Sequence, residues 1–180
     1  IASADGLVVA KNGLIYVGNK NGEKLQFGYD AEGLQYKGVI AKNGVDGVDG
    51  LDGNLGQLYL SEDGKHLYVL NGLNGWRGQT SSGMGSTICL FDVREDGSLT
   101  FVESYTGNDV GVNKPTDIKF SPDGKYAYVS NFGSYLSVFD VEDGKLSFKC
   151  KISAADIGDK LANKSYMSSL INVETSEDGK

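Results

Sequence analysis

Apolar and polar positions alternate along residues 118–149, the most regular stretch of the chain. Tyr126 and Tyr128 fall on one face of an extended segment, and Ala127 and Val129 fall on the other, as the two-residue period of a β-strand requires. The pattern predicts four short strands at 118–120, 125–131, 135–141 and 145–149. Both faces are largely apolar, so this sheet is expected to be covered on both sides by other sheets.

The turns of the same stretch indicate hairpins. In the S-P-D-G segment at 121–124, Pro122 presets the second turn residue and Gly124 supplies a positive φ. The E-D-G segment at 142–144 repeats this chemistry, while N-F-G-S at 131–134 makes a looser connection. The stretch is therefore predicted to be a four-stranded antiparallel meander.

Two turn signatures recur along the chain in the same order. The pattern S-x-D-G-K occurs at 61–65, 121–125 and 176–180, at spacings of 60 and 55 residues. A second pattern reads FDVREDGSLTF at 91–101 and FDVEDGKLSF at 139–148, with FGYDAEGLQY at 27–36 as a looser copy. A period of this length is typical of propeller blades.

The repeats divide the chain into units within one all-β domain. The units are predicted at about 7–40, 57–104 and 118–150, and a fourth begins at 173–180. Unit two carries a long insertion at 72–87 between its second and third strands. Three units and part of a fourth would leave apolar sheet faces open, so we expect further blades in the same chain or pairing with another copy.

The S-x-D-G-K, Y-x-Y-V-x-N and F-D-V-x-x-D-G-x-L-x-F signatures resemble those of the lactonase-type seven-bladed β-propellers. That superfamily includes bacterial 6-phosphogluconolactonase and the YVTN repeats of surface proteins. The resemblance implies a β-propeller of four-stranded antiparallel blades, of which this chain holds about three. Such blades serve enzymes and binding proteins alike.

The segment VDGVDGLDG at 45–53 resembles the lead-in found before such blades in large secreted and cell-surface bacterial proteins. We therefore expect an extracellular or cell-envelope location, with the cytoplasm as the alternative. The predicted function is a non-catalytic scaffold that binds protein or glycan. The alternative is a lactonase-like hydrolase of a sugar lactone. The His- and Arg-bearing motifs expected of an active lactonase are not visible, and the single histidine, His66, is predicted to be a blade residue away from the rim.

Composition excludes several other functions. The net charge is −7 and the basic residues are scattered singly, which argues against a nucleic-acid surface. No window approaches the roughly 18 apolar residues of a membrane span. Cys89 and Cys150 fall on strands of different units, so free core thiols are expected. Sequence templates for catalytic triads, metal-binding histidines and phosphate loops fail.

Candidate binding residues lie in the long connections, which emerge on one face of a propeller. Trp76 and Arg77 in the 72–87 insertion are candidate ligand or partner contacts, and the alternative for the tryptophan is a loop anchor packed over the blade edge. Asp109 and Asn113 are candidates for a pocket mouth, with plain solvation as the alternative. The segment 152–170 is expected to contain a helical turn.

A calcium site is the remaining hypothesis. Three carboxylates and an amide fall within nine residues of a glycine-rich loop: Asp46, Asp49, Asp52 and Asn54. Oxygen ligands on a tightly folding backbone suit Ca²⁺, although the spacing is not that of an EF-hand. The alternative is that the Asp-Gly pairs only make successive tight turns.

Overall fold

Within the described residues, twelve strands form three four-stranded antiparallel sheets in this computed structural model. The structure describes residues 4–19, 23–51, 57–72, 85–132, 135–157, 170 and 172–178. The strands of each sheet are neighbours in chain order, which confirms the predicted meanders. We call the sheets blades 1, 2 and 3.

Each blade is formed by four consecutive strands. Blade 1 contains β1 (Ala4–Val9), β2 (Ile15–Asn19), β3 (Glu23–Asp30) and β4 (Gly33–Lys42). Blade 2 contains β5 (Gln57–Leu60), β6 (His66–Asn71), β7 (Thr87–Val93) and β8 (Leu99–Thr106). Blade 3 contains β9 (Pro115–Phe120), β10 (Tyr126–Asn131), β11 (Tyr135–Glu142) and β12 (Lys145–Ser153).

Two short helical segments complete the described part of the chain. A 3-10 turn at Asn108–Val110 lies between blades 2 and 3, and α1 (Ala154–Ile157) follows blade 3. The second segment confirms the helical turn predicted within 152–170. Residues 172–176 carry no strand, so the start of a fourth blade at 173–180 stays a prediction. None of the helices described here has the length and apolar character that a membrane crossing needs.

Alternation along the strands of blade 2 builds both of its interfaces. Leu67 and Val69 pack toward blade 1, whereas Tyr68 and Leu70 pack toward blade 3. Strand β7 repeats the pattern in the same register, with Cys89 and Phe91 toward blade 1 and Ile88 and Leu90 toward blade 3. The period of two therefore makes one sheet contribute to two separate cores.

The two cysteines have different environments. Cys89 is buried in the core, as predicted, whereas Cys150 is exposed on β12. The prediction of a buried Cys150 is wrong. This strand is the last in its sheet and shows exposed residues at most of its positions, so alternation there does not signal burial.

A tyrosine in the second strand of a blade binds a glycine carbonyl of the next blade. The Tyr68 hydroxyl donates to the carbonyl of Gly144 at 2.6 Å, and the Tyr16 hydroxyl donates to that of Gly97 at 3.0 Å. Both glycines lie in the turn between strands three and four and have positive φ, 74° and 81° respectively. A side chain at Gly144 would overlap the His66 ring, so only glycine permits this approach. We call this contact the tyrosine latch.

The tyrosine latch predicts unequal effects of two matched substitutions. Tyr68→Phe removes the donor to the Gly144 carbonyl in a buried setting and is expected to lower the free energy of unfolding by about 1–3 kcal/mol. Tyr16→Phe is expected to cost less, because Gln26 Nε2 still donates to the Gly97 carbonyl at 2.8 Å. Urea denaturation of the two variants measures the difference, and equal losses would contradict the latch.

Candidate functional site

We call the face on which the long connections emerge the long-connection face. The link between blades 2 and 3 lies on this face and is described along its whole length. This link, residues 107–114, runs from the end of β8 to the start of β9 and contains the 3-10 turn. An isolated bridge joins Gly107 to Val112, and Val112 is fully buried between the two blades. The connection is therefore anchored at its middle by packing.

A relay of hydrogen bonds joins this connection to blade 3. The backbone N–H of Asn113 donates to Asn131 Oδ1 at 2.8 Å, and Asn131 Nδ2 donates to Ser137 Oγ at 3.0 Å. The Ser137 hydroxyl in turn donates to the Gly111 carbonyl at 2.6 Å. Asn131 and Ser137 are fully buried, so these bonds are shielded from water.

Further contacts hold the connection to blade 2 and to the third strand of blade 3. The Lys114 N–H donates to Ser86 Oγ at 3.0 Å, and the Tyr135 hydroxyl donates to Asn108 Oδ1 at 2.9 Å. Lys114 has a φ of 56°, the left-handed conformation, and its carbonyl accepts the N–H of Phe132 at 2.9 Å. The backbone of 107–114 is thus fixed from both blades.

The asparagine that anchors the link recurs at the end of each second strand. Asn71 occupies the position equivalent to Asn131, is also fully buried, and donates to the Gly50 carbonyl in the preceding connection at 2.9 Å. Asn19 occupies it in blade 1 and donates to Glu23 Oε2 at 3.1 Å. Asn131 ends the Y-x-Y-V-x-N signature, and Asn71 and Asn19 end its shorter form Y-V-x-N, but the pattern alone assigns no role to the asparagine.

The predicted binding residues fall partly on this surface. Asp109 is exposed in the 3-10 turn, and Asn113 is half-buried at the end of the link. They therefore lie on the same connection, which itself is rigidly held. Trp76 and Arg77 lie outside the described residues, so their predicted role stays a prediction.

The calcium hypothesis stays a prediction as well. Asp46 and Asp49 are both exposed, whereas Asp52 and Asn54 lie outside the described residues. Asp46 has a φ of 51° in a turn, and Gly47 and Gly50 have positive φ, which fits the tight-turn alternative. No group of three or more acidic, histidine or cysteine side chains converges on a metal position in the part of the chain that the structure describes.

Asp117 is a buried carboxylate that sequence analysis did not single out. It lies on β9, and burial raises the pKa of its carboxyl group above the usual range. Its Oδ2 accepts the N–H of Val173 at 3.2 Å, and neighbouring Lys119 pairs with Glu174 at 3.4 Å. These contacts join the segment after blade 3 to its first strand, which is a structural role.

A second site lies on the opposite face, where the turn signatures are. A cavity of about 480 Å³ opens there between blades 2 and 3, and its lining includes Tyr59, His66 and Phe120. His66 is the first residue of β6, and its Nδ1 lies 3.1 Å from Asp92 Oδ1. Its prediction as a blade residue is right, but it also lines this cavity, which alternation alone does not reveal.

Comparison with solved structures identifies the architecture. The chain aligns with a proposed 6-phosphogluconolactonase from Bacteroides fragilis NCTC 9343 over 83% of its length, with a TM-score of 0.61 and 23% sequence identity. A second proposed 6-phosphogluconolactonase, from Bacteroides uniformis ATCC 8492, gives 83% coverage, a TM-score of 0.62 and 23% identity. The β-propeller domain of Cps50 (Swd1) from Myceliophteria thermophila gives 83%, 0.56 and 15%.

The chain has the β-propeller fold. It spans 39%, 40% and 43% of the length of these three structures, respectively, which corresponds to a partial propeller. No protein-family model matches the sequence, and no curated protein matches it. At these identities the likeness establishes the blade architecture, and activity has to be argued from the propeller's own residues.

The relay at Asn131 predicts a local loss of order on substitution. Asn131→Ala removes the acceptor for the Asn113 N–H and the donor to Ser137, and is expected to destabilise the propeller by about 1–3 kcal/mol. Amide hydrogen exchange of residues 107–114 is expected to quicken in this variant. Asn12→Ala is the control, because Asn12 accepts only one bond in an exposed turn; equal protection in both variants would contradict the anchoring role.

Proposed function

We propose that this chain is a non-catalytic propeller module of a bacterial secreted or cell-surface protein, which binds a protein or glycan partner through its long-connection face. The observation that carries the proposal is the link 107–114, whose backbone is fixed from two blades while its tip is exposed. Binding costs less when the contacting backbone is already ordered. A surface built in this way is suited to recognition.

The exposed tip offers mixed chemistry. Asn108, Asp109 and Val110 are all exposed, and they bring an amide, a carboxylate and an apolar group to one short turn. Polar groups of this kind give orientation and specificity, while apolar contact contributes desolvation. Trp76 and Arg77 belong to the same face by prediction, and an aromatic and a guanidinium would add the side chains that dominate many interfaces.

Completion of the ring is part of this proposal. Blade 1 turns an apolar face away from blade 2, on which Leu7 pairs with Val17 and Val9 pairs with Ile15. The exposed large apolar residues of blade 1 are Leu7, Val9, Tyr29, Leu34, Tyr36 and Val39. We propose that further blades of the same chain cover this face; pairing with another copy is the alternative.

The location is proposed from the sequence. The likeness of residues 45–53 to the lead-in segments of secreted and cell-surface blade proteins supports an extracellular or cell-envelope place, with the cytoplasm as the alternative. Detection of the protein on intact cells by a membrane-impermeant lysine label would support the first location. Labelling only after lysis would support the second.

Binding is tested with the complete protein on a glycan array and a panel of purified extracellular proteins. We expect saturable binding to one of these probes, and we expect Asp109→Ala to weaken it by about 3- to 10-fold, as loss of one interface contact does. Glu142→Ala is the matched control, since Glu142 is also exposed but lies at the end of β11, on the turn face. Equal binding by both variants would contradict the assignment of the face.

The second candidate function is hydrolysis of a sugar lactone. Two of the solved structures that the chain resembles are proposed 6-phosphogluconolactonases, and this observation supports the lactonase as the second candidate. The test is hydrolysis of 6-phosphogluconolactone by the complete protein, followed against the spontaneous rate. The binding-module proposal predicts no acceleration. Acceleration that is lost on substitution of residues on the long-connection face would favour the lactonase instead.

A further inference from the structure

The cavity on the turn face, between blades 2 and 3, has the size of a small-ligand site. Its volume of about 480 Å³ falls within the usual range of such pockets, roughly 300–1,000 Å³. Its walls come from the S-x-D-G-K turns of both blades and from the turn between β11 and β12. The cavity thus exists only because two blades are packed together.

Three aromatic rings form one wall of this cavity. The Tyr59 and Phe120 rings stack at 4.9 Å with an angle of 22°, and Tyr68 meets Phe120 at 5.0 Å. Tyr68 is fully buried and held by the tyrosine latch, whereas Tyr59 and Phe120 remain half-buried. The half-buried Tyr59 and Phe120 therefore supply the accessible aromatic surface of the cavity, and the face of an aromatic ring attracts positive charge.

The remaining lining is strongly acidic. It includes the acidic residues Glu62, Asp63, Asp123 and Asp143, against the basic residues Lys65 and His66. Asp63 accepts the hydroxyl of Ser61 at 2.6 Å and the N–H of Lys65 at 3.1 Å, and these bonds lower the pKa of its carboxyl group. It therefore stays ionised at neutral pH.

Asp123 repeats this arrangement in blade 3. It accepts the Ser121 hydroxyl at 2.7 Å and the Lys125 N–H at 3.1 Å, with the same lowering of its carboxyl pKa. The pKa of the Tyr59 hydroxyl is raised, mainly by burial and to a smaller extent by the charge of Glu62. The acidic lining therefore acts on the aromatic wall. Lys65 and Lys125 pair with Asp63 and Asp123 at 4.0 and 3.5 Å, so the negative charge of the lining rests mainly on Glu62 and Asp143.

These features favour a large organic cation over a metal ion. Aromatic faces offer no lone pairs, and two of the carboxylates already accept bonds within their own turns. A guanidinium or alkylated ammonium group is weakly hydrated, stacks on rings and is attracted to carboxylates at the rim. We propose that this cavity binds a guanidinium or alkylammonium group, presented by a basic side chain of a partner protein or by a free small molecule.

Direct binding tests the proposal on the complete protein. Isothermal titration with methylguanidinium and tetramethylammonium chlorides, at constant ionic strength, is expected to show saturable binding to the wild type. Tyr59→Leu is expected to weaken it by about 2- to 30-fold, the range that cation–π contacts cover. Glu62→Gln is expected to weaken it by about 2- to 5-fold. Asp143→Asn removes the carboxylate on the opposite rim, and asparagine tolerates the φ of 47° at position 143.

Controls separate this site from general effects. Glu95→Gln removes an exposed carboxylate from the equivalent turn of blade 2, outside the cavity lining, and is expected to leave binding unchanged. Urea denaturation shows whether Tyr59→Leu remains folded; if it does not, the Glu62→Gln and Glu95→Gln pair decides the outcome.

The outcomes discriminate between ligand sources. Tighter binding of a blocked arginine peptide than of methylguanidinium would assign the site to a partner protein, and equal binding would assign it to a small molecule. Absence of saturable binding, equal binding by Glu62→Gln and the wild type, or equal binding of the neutral alcohol neopentanol would overturn the proposal. None of these results depends on the long-connection face.

Discussion

A single contact repeated from blade to blade, the tyrosine latch, constrains the whole arrangement. The hydroxyl of Tyr68 reaches the Gly144 carbonyl and that of Tyr16 reaches the Gly97 carbonyl, each across a packed interface. Glycine is required at this position for two reasons: the backbone of the turn has a positive φ, and a side chain would overlap its neighbours. Burial of the ring supplies apolar contact while its hydroxyl satisfies a carbonyl, so one residue sets both the distance and the register of neighbouring sheets.

The two ends of each blade have different structural roles. At the turn end, Ser–Asp hydrogen bonds close the hairpins between strands one and two, and the latch glycines lie in the neighbouring hairpins between strands three and four. At the other end, the buried asparagine of the second strand binds the connection that precedes its blade, as Asn131 and Asn71 show. This division allows connections of different length on one face while the blade interfaces stay the same.

The propeller presents two chemically distinct surfaces. The long-connection face presents an exposed tip with Asp109 on a fixed backbone, which suits a macromolecular partner. The turn face holds an open acidic and aromatic cavity at Tyr59 and Phe120, which suits a cationic group. Since the cavity arises from motifs that serve the hairpins, its charge follows from the requirements of folding.

Local patterns in the sequence are sufficient to predict the four-stranded blades. Period-two alternation, glycine turns and two recurring signatures predicted four-stranded antiparallel meanders, and the structure confirms this type of sheet, because these signals are local. Tertiary structure alone decided what lies between blades. The partner of Tyr68, the role of Asn131, the exposure of Cys150 and the cavity beside His66 all depend on how distant segments pack. Such contacts join residues up to 81 positions apart, and no local pattern encodes a distance of that kind.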